Sequence, residues 1–83
     1  MATVYILRSG TTGRFYIGST NDLQRRVEEH LRGHSLATRG RGPWELVYQE
    51  TFELLADARR REIEMKRWKS AKKIAELIAA KIG

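Results

Sequence analysis

The sequence predicts an α/β domain in which a small, largely antiparallel sheet of three strands is flanked by about three helices. Segments with β character and amphipathic helical segments follow one another in the order strand, strand, helix, strand, helix, helix, and clusters of turn-forming residues separate them. A chain of 83 residues leaves room for one thin hydrophobic core. We therefore expect residues 1–83 to form a single domain.

The first two strands are predicted to form a hairpin. Residues 4–7 are rich in β-forming side chains, a cluster of serine, threonine and glycine follows, and residues 14–17 resume the β pattern. Because side chains alternate between the two faces of a strand, Tyr5 and Tyr16 share a face if they pair at opposite or nearly opposite positions.

The first helix is predicted to start near Asn21 and Asp22, which resemble an N-cap. Apolar residues then recur every fourth position at Leu23, Val27 and Leu31. The following stretch, 33–43, is rich in glycine and basic residues and contains the one proline, so it predicts a loop.

A third strand and two helices complete the predicted order. Residues 44–48 alternate apolar and polar side chains apart from Val47, which predicts a strand. From about Leu54 to Trp68, and again from Ser70 onwards, apolar residues fall on one side of a helical wheel. Each apolar stripe must be buried against another element, so these helices are expected to cover the sheet.

The composition favours a nucleic-acid partner. Sixteen lysine and arginine residues against ten acidic residues give a net charge of +6, which attracts polyanions if the charge is gathered on one face. There are no cysteines, so no disulfide or thiolate metal site can form. No apolar run approaches the roughly 20 residues that cross a bilayer, and a cytoplasmic location is expected.

Three charged residues lie at unusual places on the predicted helices. Arg26 and His30 are four residues apart beside the apolar stripe of the first helix, and Glu62 lies among apolar neighbours on the second. An unpaired buried carboxylate costs several kcal/mol, so we expect Glu62 either to pair with a cation such as Arg26 or to bind a metal ion. The structural alternatives are an ion pair at Glu62, an Arg26 stem lying over apolar surface, and a His30 that caps its helix.

Several basic residues are candidates for phosphate contacts. Two lie in the predicted loop and four near the junction of the last two helices: Arg39, Arg41, Lys66, Lys69, Lys72 and Lys73. Trp68 lies among them and could stack on a base. Its place in the apolar stripe favours packing in the core instead.

Several motifs together resemble those of the GIY-YIG nuclease superfamily. They are "TVYIL" and "FYIGST" in the hairpin, "NDLQRRVEEH" in the first helix, "TRGRGPW" in the loop and "DARRREIEMKRW" in the second helix. The resemblance covers nearly the whole chain and is nearest to the small single-domain bacterial members, the YhbQ-like group. The Tyr-Ile-Gly triplet carries little information alone, whereas the ordered set of tyrosine, Tyr-Ile-Gly, arginine, histidine and glutamate is fairly specific.

The resemblance implies roles for individual residues. The implied catalytic residues are Tyr5, Tyr16, Arg26, His30 and Glu62. Glu62 is implied to bind one divalent ion, Mg²⁺ or Mn²⁺, and Arg26 to neutralise charge on the phosphate. Either tyrosine could take the proton from water, with His30 as acceptor of the tyrosine's proton. Gly18 is expected to let the chain turn at the end of the second strand.

The sequence departs from the family pattern at two places. The first triplet reads Thr3-Val4-Tyr5 and keeps only its tyrosine. The asparagine that follows the metal-binding glutamate in some members has no clear counterpart.

The function that the resemblance implies is metal-dependent hydrolysis of DNA phosphodiester bonds in DNA repair or processing. With so small a surface, selectivity is expected to come from branched or flexible DNA rather than from base sequence, and a protein partner could supply further specificity. Two alternatives stay open. One is a catalytically inactive nucleic-acid-binding domain of the same fold, and the other is a small adaptor whose helices dock a partner protein.

Overall fold

The structure of the protein is a computed structural model that describes residues 1–32 and 43–82. Its elements are β1 (Ala2–Ser9), β2 (Phe15–Thr20), α1 (Leu23–Leu31), β3 (Trp44–Phe52), α2 (Leu55–Arg67) and α3 (Ala71–Ile82). The predicted α/β class and the predicted order of elements are confirmed. Within the described ranges, no helix is long and apolar enough to cross a membrane.

The three strands form one antiparallel sheet in the order β2-β1-β3. Strand β1 is central, and β2 and β3 form the two edges. The turn from β1 to β2 is held by Ser9, whose Oγ accepts hydrogen bonds from the backbone N–H groups of Thr11 and Thr12 at 3.2 and 3.1 Å. Gly13 has a φ of 73°, a left-handed conformation that favours glycine.

Strand β3 is longer than the sequence pattern predicts and contains an irregularity in its pairing with β1. Ile6 pairs with Tyr48, whereas the next residue of β1, Leu7, pairs with Leu46. Val47 is therefore the extra residue of a β-bulge. The bulge explains why the alternation of apolar and polar side chains breaks at this residue.

The sheet has a core on each face. On the first face, β1 and β3 pack against α2 and α3 through buried residues that include Val4, Ile6, Tyr48, Ala58, Met65 and Ile74. On the second face lie Tyr5, Leu7 and Trp44, which pack against Tyr16, Leu23 and Val27. Successive residues of β1 therefore pack against different helices, because side chains alternate between the two faces of a strand.

Hydrogen bonds from backbone N–H groups to side-chain oxygens mark where two helices begin. The Asp22 carboxylate accepts a hydrogen bond from the backbone N–H of Arg25 at 3.2 Å, so Asp22 rather than Asn21 is the cap of α1. Ser70 accepts from the backbone N–H of Lys73 at 3.2 Å at the start of α3. Between α2 and α3, Lys69 adopts a left-handed φ of 50°, which is uncommon for a residue with a side chain.

Candidate active site

Two tyrosines and a histidine meet on the sheet face that α1 covers. Tyr5 pairs with Gly18, and Leu7 pairs with Tyr16, so the two tyrosines are diagonal neighbours on one face. Their ring centroids are 6.3 Å apart. The His30 ring, on the last turn of α1, lies 4.8 Å from the Tyr16 ring and 5.8 Å from the Tyr5 ring.

Tyr5 and His30 form a buried hydrogen-bonded pair. The Tyr5 hydroxyl lies 3.0 Å from His30 Nε2, and both residues are almost completely buried. Burial lowers the pKa of His30, and the positive charge of Arg26 lowers it further. A neutral imidazole with its proton on Nδ1 can accept a hydrogen bond from the Tyr5 hydroxyl at Nε2. Burial raises the pKa of Tyr5 to about 12, so Tyr5 is a neutral phenol at physiological pH.

The Tyr16 hydroxyl differs from that of Tyr5 in its access to water. Tyr16 is half-buried, and its hydroxyl has no hydrogen-bond partner among the described residues. No buried side-chain polar atom in this part of the chain lacks a partner. The Tyr16 hydroxyl is therefore not fully buried, and the Tyr16 ring lies near the rings of His30 and Trp44.

Gly18 lies within β2 and not in a turn, so the structural role expected from the sequence is wrong. A Cβ atom at this position would lie 2.5 Å from the Tyr5 hydroxyl oxygen and 2.6 Å from the ring carbon that bears it. The Tyr5 phenol therefore occupies the space that a side chain on β2 would take. Glycine is needed because the phenol passes over the backbone of the edge strand, and not for conformational freedom.

Arg26 reaches the tyrosine cluster from α1. Its Nη1 donates to Glu29 Oε1 at 3.0 Å, and this hydrogen bond is the chief reason that the pKa of Arg26 is raised. Its charge also interacts with Tyr5 and Tyr16. The expected pair between Arg26 and Glu62 is not formed, because each side chain is engaged by a partner on its own helix.

Glu62 reaches the same edge strand from the opposite face of the sheet. Ser19 Oγ donates to its Oε1, and Lys66 Nζ donates to its Oε2, both at 2.5 Å. The Glu62 side chain is 19% exposed. Since Ser19 follows Gly18, the Tyr5 phenol and the Glu62 carboxylate approach adjacent residues of β2 from its two faces. Glu62 also contributes to the raised pKa of Tyr5.

Neither partner of Glu62 was predicted from the sequence. Lys66 lies four residues after Glu62 on α2, a spacing that favours ion pairs on a helix and could have indicated this one. Ser19 follows the Tyr-Ile-Gly triplet, and alternation along β2 places it on the α2 face. Its contact with Glu62 needs the packing of α2 on β2, which the local pattern does not specify.

The predicted phosphate-binding residues are only partly accounted for. Arg39 and Arg41 lie outside the described residues. Lys66 is paired with Glu62, and Lys69, Lys72 and Lys73 are exposed near the junction of α2 and α3. Trp68 packs against the core, and Lys73 Nζ lies 4.9 Å from its ring centroid. The predicted preference of Trp68 for packing is thus consistent with the structure.

A metal ion at this edge would rest on a single protein carboxylate. In residues 1–32 and 43–82, no three His, Cys, Asp or Glu side chains form a cluster that could hold a metal. Mg²⁺ is commonly held by one or two carboxylates together with water and substrate phosphate oxygens. Glu62 fits this role because one of its oxygens is engaged only by the half-exposed Lys66, which can move away.

Comparison with known families identifies the kind of domain. The family model described as the GIY-YIG catalytic domain matches residues 1–75. These residues include the tyrosine cluster, Arg26 and Glu62.

Relatives cover most of the chain. A UPF0213 protein of Halobacterium salinarum is 41% identical over 76 residues, which are 90% of this chain and 97% of that protein. A UPF0213 protein of Staphylococcus aureus is 40% identical over 72 residues, which are 86% of this chain and 87% of that protein. The solution NMR structure of a UPF0213 protein from Bacillus halodurans matches with a TM-score of 0.62 and 38% identity, covering 98% of this chain and 86% of that one.

Proposed function

The chain belongs to the GIY-YIG catalytic domain family, a family of nuclease domains, and on this basis we propose that it is a divalent-metal-dependent DNA endonuclease. Its proposed centre lies around residues 16–19 of the edge strand β2. One observation carries the proposal. Two phenols, an imidazole and a guanidinium converge on one face of this strand, and the Glu62 carboxylate reaches it from the other.

Hydrolysis of a phosphodiester forms a bond between phosphorus and the oxygen of water and breaks the bond to one deoxyribose oxygen. The attacking water gives up a proton, and the departing oxygen takes one from solvent. The chain must therefore supply a group that accepts a proton and a positive charge near the phosphate.

Tyr16 is the proposed catalytic phenol. Tyr16 is half-buried and its hydroxyl has no hydrogen-bond partner among the described residues, whereas the Tyr5 hydroxyl is buried and hydrogen-bonded to His30. To act as a base, the phenol would first release its own proton to solvent, and the phenolate would then take one proton from the attacking water and return to the neutral phenol. The charge of Arg26 interacts with Tyr16 and would favour the phenolate. The planar guanidinium also suits contact with the non-bridging oxygens of the phosphate.

Tyr5 and His30 are proposed to act as positioning residues. Their hydrogen bond fixes the imidazole, and the imidazole ring packs 4.8 Å from the Tyr16 ring. The neutral state of His30 keeps a second positive charge out of the buried cluster. This pair therefore sets the orientation of Tyr16 rather than contacting the phosphate.

Glu62 is the proposed holder of a single Mg²⁺ or Mn²⁺ ion. When bound, such an ion polarises a phosphate oxygen and stabilises negative charge on the leaving group. Ser19 orients the carboxylate through its Oε1, and Lys66 neutralises the other oxygen while no ion is held.

The proposed substrate is branched or flexible DNA, in a process of repair or processing. The net charge of +6 supports attraction to the phosphate backbone, which carries no information on base sequence. A protein partner could add specificity.

The second candidate is a nucleic-acid-binding domain without activity. Two observations favour it. The first triplet keeps only its tyrosine, and the Lys66 ammonium is paired with the Glu62 carboxylate. Such a domain would bind DNA in a salt-dependent way and would not cleave it.

The experiment is a cleavage assay on branched, flapped and linear DNA with Mg²⁺ or Mn²⁺. We expect cleavage by the wild type and a loss of about three orders of magnitude in Glu62→Ala, because metal catalysis contributes several kcal/mol. Glu64→Ala is the matched control, since Glu64 is 57% exposed on the same helix and pairs with Arg61. Salt-sensitive binding with no Glu62-dependent cleavage would select the binding domain instead.

A further inference from the structure

A groove runs beside Glu62 between β2 and the junction of α2 and α3. Its volume is about 400 Å³. Its lining includes four apolar residues, of which the last two are buried: Phe15, Ile17, Met65 and Ile74. Three cations stand at its rim: Arg14, Lys66 and Lys69. The groove therefore combines an apolar interior with a positive entrance.

Two of the rim cations are available to a ligand. Arg14 and Lys69 are exposed, and neither pairs with an acidic side chain among the described residues. Lys69 is held at the rim by a left-handed backbone, which costs free energy and is typical of functional positions. The third cation, Lys66, connects the groove directly to the Glu62 carboxylate.

We propose that this groove binds one unpaired nucleotide of the DNA strand next to the phosphate that is cleaved. The inference rests on the proposed function and narrows its substrate to DNA with an unpaired nucleotide at the cleavage point.

The chemistry of the groove explains the choice of an unpaired nucleotide. In a duplex, each base stacks its apolar faces against the neighbouring bases. A duplex therefore offers phosphates and sugars to a groove of this kind, but no free apolar base face. A nucleotide that has left the stack offers both parts. Its base can lie against the Phe15 ring and the aliphatic side chains of the lining, and its phosphates can meet Arg14 and Lys69.

The position of the groove explains why this nucleotide must be next to the cleavage point. Lys66 lines the groove and contacts Glu62, and the groove borders β2 at Tyr16, although the Tyr16 side chain lies on the other face of that strand. A strand whose phosphate lies at the β2 edge would therefore have its neighbouring nucleotide at the mouth of the groove. A base that is free to rotate out of the helix enters at least cost, which favours flaps, bulges and gaps over intact duplex.

The test uses the full chain in EDTA, so that no strand is cut. The probe is a duplex with a single bulged 2-aminopurine, and a fully paired duplex of the same sequence is the comparison. We expect about tenfold tighter binding of the bulged DNA and a change in 2-aminopurine fluorescence on binding. Equal affinity for the two DNAs would overturn the proposal.

Three variants locate the site. Arg14→Gln with Lys69→Gln removes the rim charges, Phe15→Leu removes the aromatic ring, and Ala71→Phe fills the groove from an exposed position. Each is expected to remove most of the preference for bulged DNA. The matched control, Arg59→Gln with Arg67→Gln, removes two exposed charges elsewhere on α2 and is expected to weaken binding of both DNAs alike. If the groove variants behave as this control does, the groove is not the site.

Failure of this inference and failure of the proposed function are distinguishable. A preference for bulged DNA without Glu62-dependent cleavage in Mg²⁺ would support the groove and contradict the nuclease proposal. Glu62-dependent cleavage without any such preference would do the reverse. Circular dichroism and melting temperatures of each variant show whether it is folded.

Discussion

Helix α2 contacts each edge strand of the sheet through a glutamate: Glu50 of β3 and its own Glu62, which contacts β2. At the β3 edge, Glu50 accepts two hydrogen bonds from the Arg61 guanidinium, at 3.0 and 3.1 Å, and another from the Tyr48 hydroxyl. At the β2 edge, Glu62 accepts from Ser19 and Lys66. Arg61 and Glu62 are consecutive residues of α2. The Arg61 cation contacts the β3 edge, and the Glu62 carboxylate contacts the β2 edge.

The difference lies in how firmly each acid is neutralised. The Glu50 pair is bidentate, and both side chains are about one-fifth exposed, at 22% and 23%. The Lys66 ammonium at Glu62 is a point charge on a flexible stem that is 52% exposed. The comparison indicates that the Glu50 pair stabilises the packing of α2 on the sheet, whereas Glu62 can exchange the Lys66 ammonium for a metal ion.

The largest expected difference is in the rate of cleavage after replacement of the tyrosine at each edge. Tyr16→Phe should lower single-turnover cleavage by about a hundredfold or more, since it removes the proposed proton acceptor. Tyr48→Phe should leave cleavage unchanged and lower stability by about 1 kcal/mol, because it removes the hydrogen bond to Glu50.

Tyr5→Phe separates the two phenols on the α1 face. It removes the bond to His30 and should cost less activity than Tyr16→Phe. A greater loss in Tyr5→Phe would assign the proton transfer to Tyr5, and equal small losses would mean that neither phenol is the base.

The next effect is on stability at the β3 edge. Glu50→Gln leaves the Arg61 guanidinium with the exposed Glu64 as its remaining acidic partner among the described residues, and should lower the free energy of unfolding by about 2 kcal/mol. Urea denaturation measures the change. A loss of stability in Glu62→Gln as large as that in Glu50→Gln would contradict the distinction between the two edges.

A smaller effect concerns pH and the α1 face. The pKa of His30 is lowered from its ordinary 6.5 by burial and by Arg26, and Glu29 opposes this shift. Its stabilising contribution is therefore present above about pH 6.5 and is lost as the pH falls, because the unfolded chain takes up the proton first. Thermal melts from pH 7.5 to 5 should show a weaker acid dependence in His30→Gln than in wild type. Identical profiles would mean that His30 is not kept neutral by its surroundings.

The smallest predicted effect is on metal affinity at the β2 edge. Lys66→Met removes the cation that competes for Glu62, and an exposed pair of this kind contributes at most about 1 kcal/mol, so Mn²⁺ should bind about threefold more tightly. Titration followed by electron paramagnetic resonance measures the affinity without any turnover. Lys72→Met removes an equal charge on α3 as a control, and equal gains in both variants would indicate a general effect of charge.

The fold was predictable because local patterns and the tertiary arrangement agree. The β-rich runs of β1 and β2 pack into the two cores of the sheet, and so do Leu23 and Val27 of α1. The third residue of the predicted α1 stripe, Leu31, is instead 57% exposed, and His30 is the buried residue of that helix. The extension of β3 beyond residue 48 was not predicted. Its second half carries Gln49, Glu50 and Thr51, whose polar side chains suit an edge strand but do not give a hydrophobic signal.

The candidate site was only partly predictable from the sequence. The positions of Tyr5, Tyr16 and His30 on one face follow from strand alternation and the helical period. The partner of Glu62 and the reason for Gly18 depend on distances between elements, which no local pattern contains. Glu62 was expected to pair with a cation such as Arg26 or to bind a metal ion. Arg26 instead pairs with Glu29 on α1, and Glu62 pairs with Lys66 on α2, which packs on the other face of the sheet.

The most direct test of the comparison is single-turnover cleavage of one flapped DNA by Glu62→Gln and Glu50→Gln, at a temperature where both variants are folded. The account predicts that Glu62→Gln loses cleavage while Glu50→Gln keeps the wild-type rate despite its lower stability. Comparable losses in the two variants, or a Glu62→Gln variant that cleaves as well as wild type, would contradict the assignment of the β2-edge acid to catalysis.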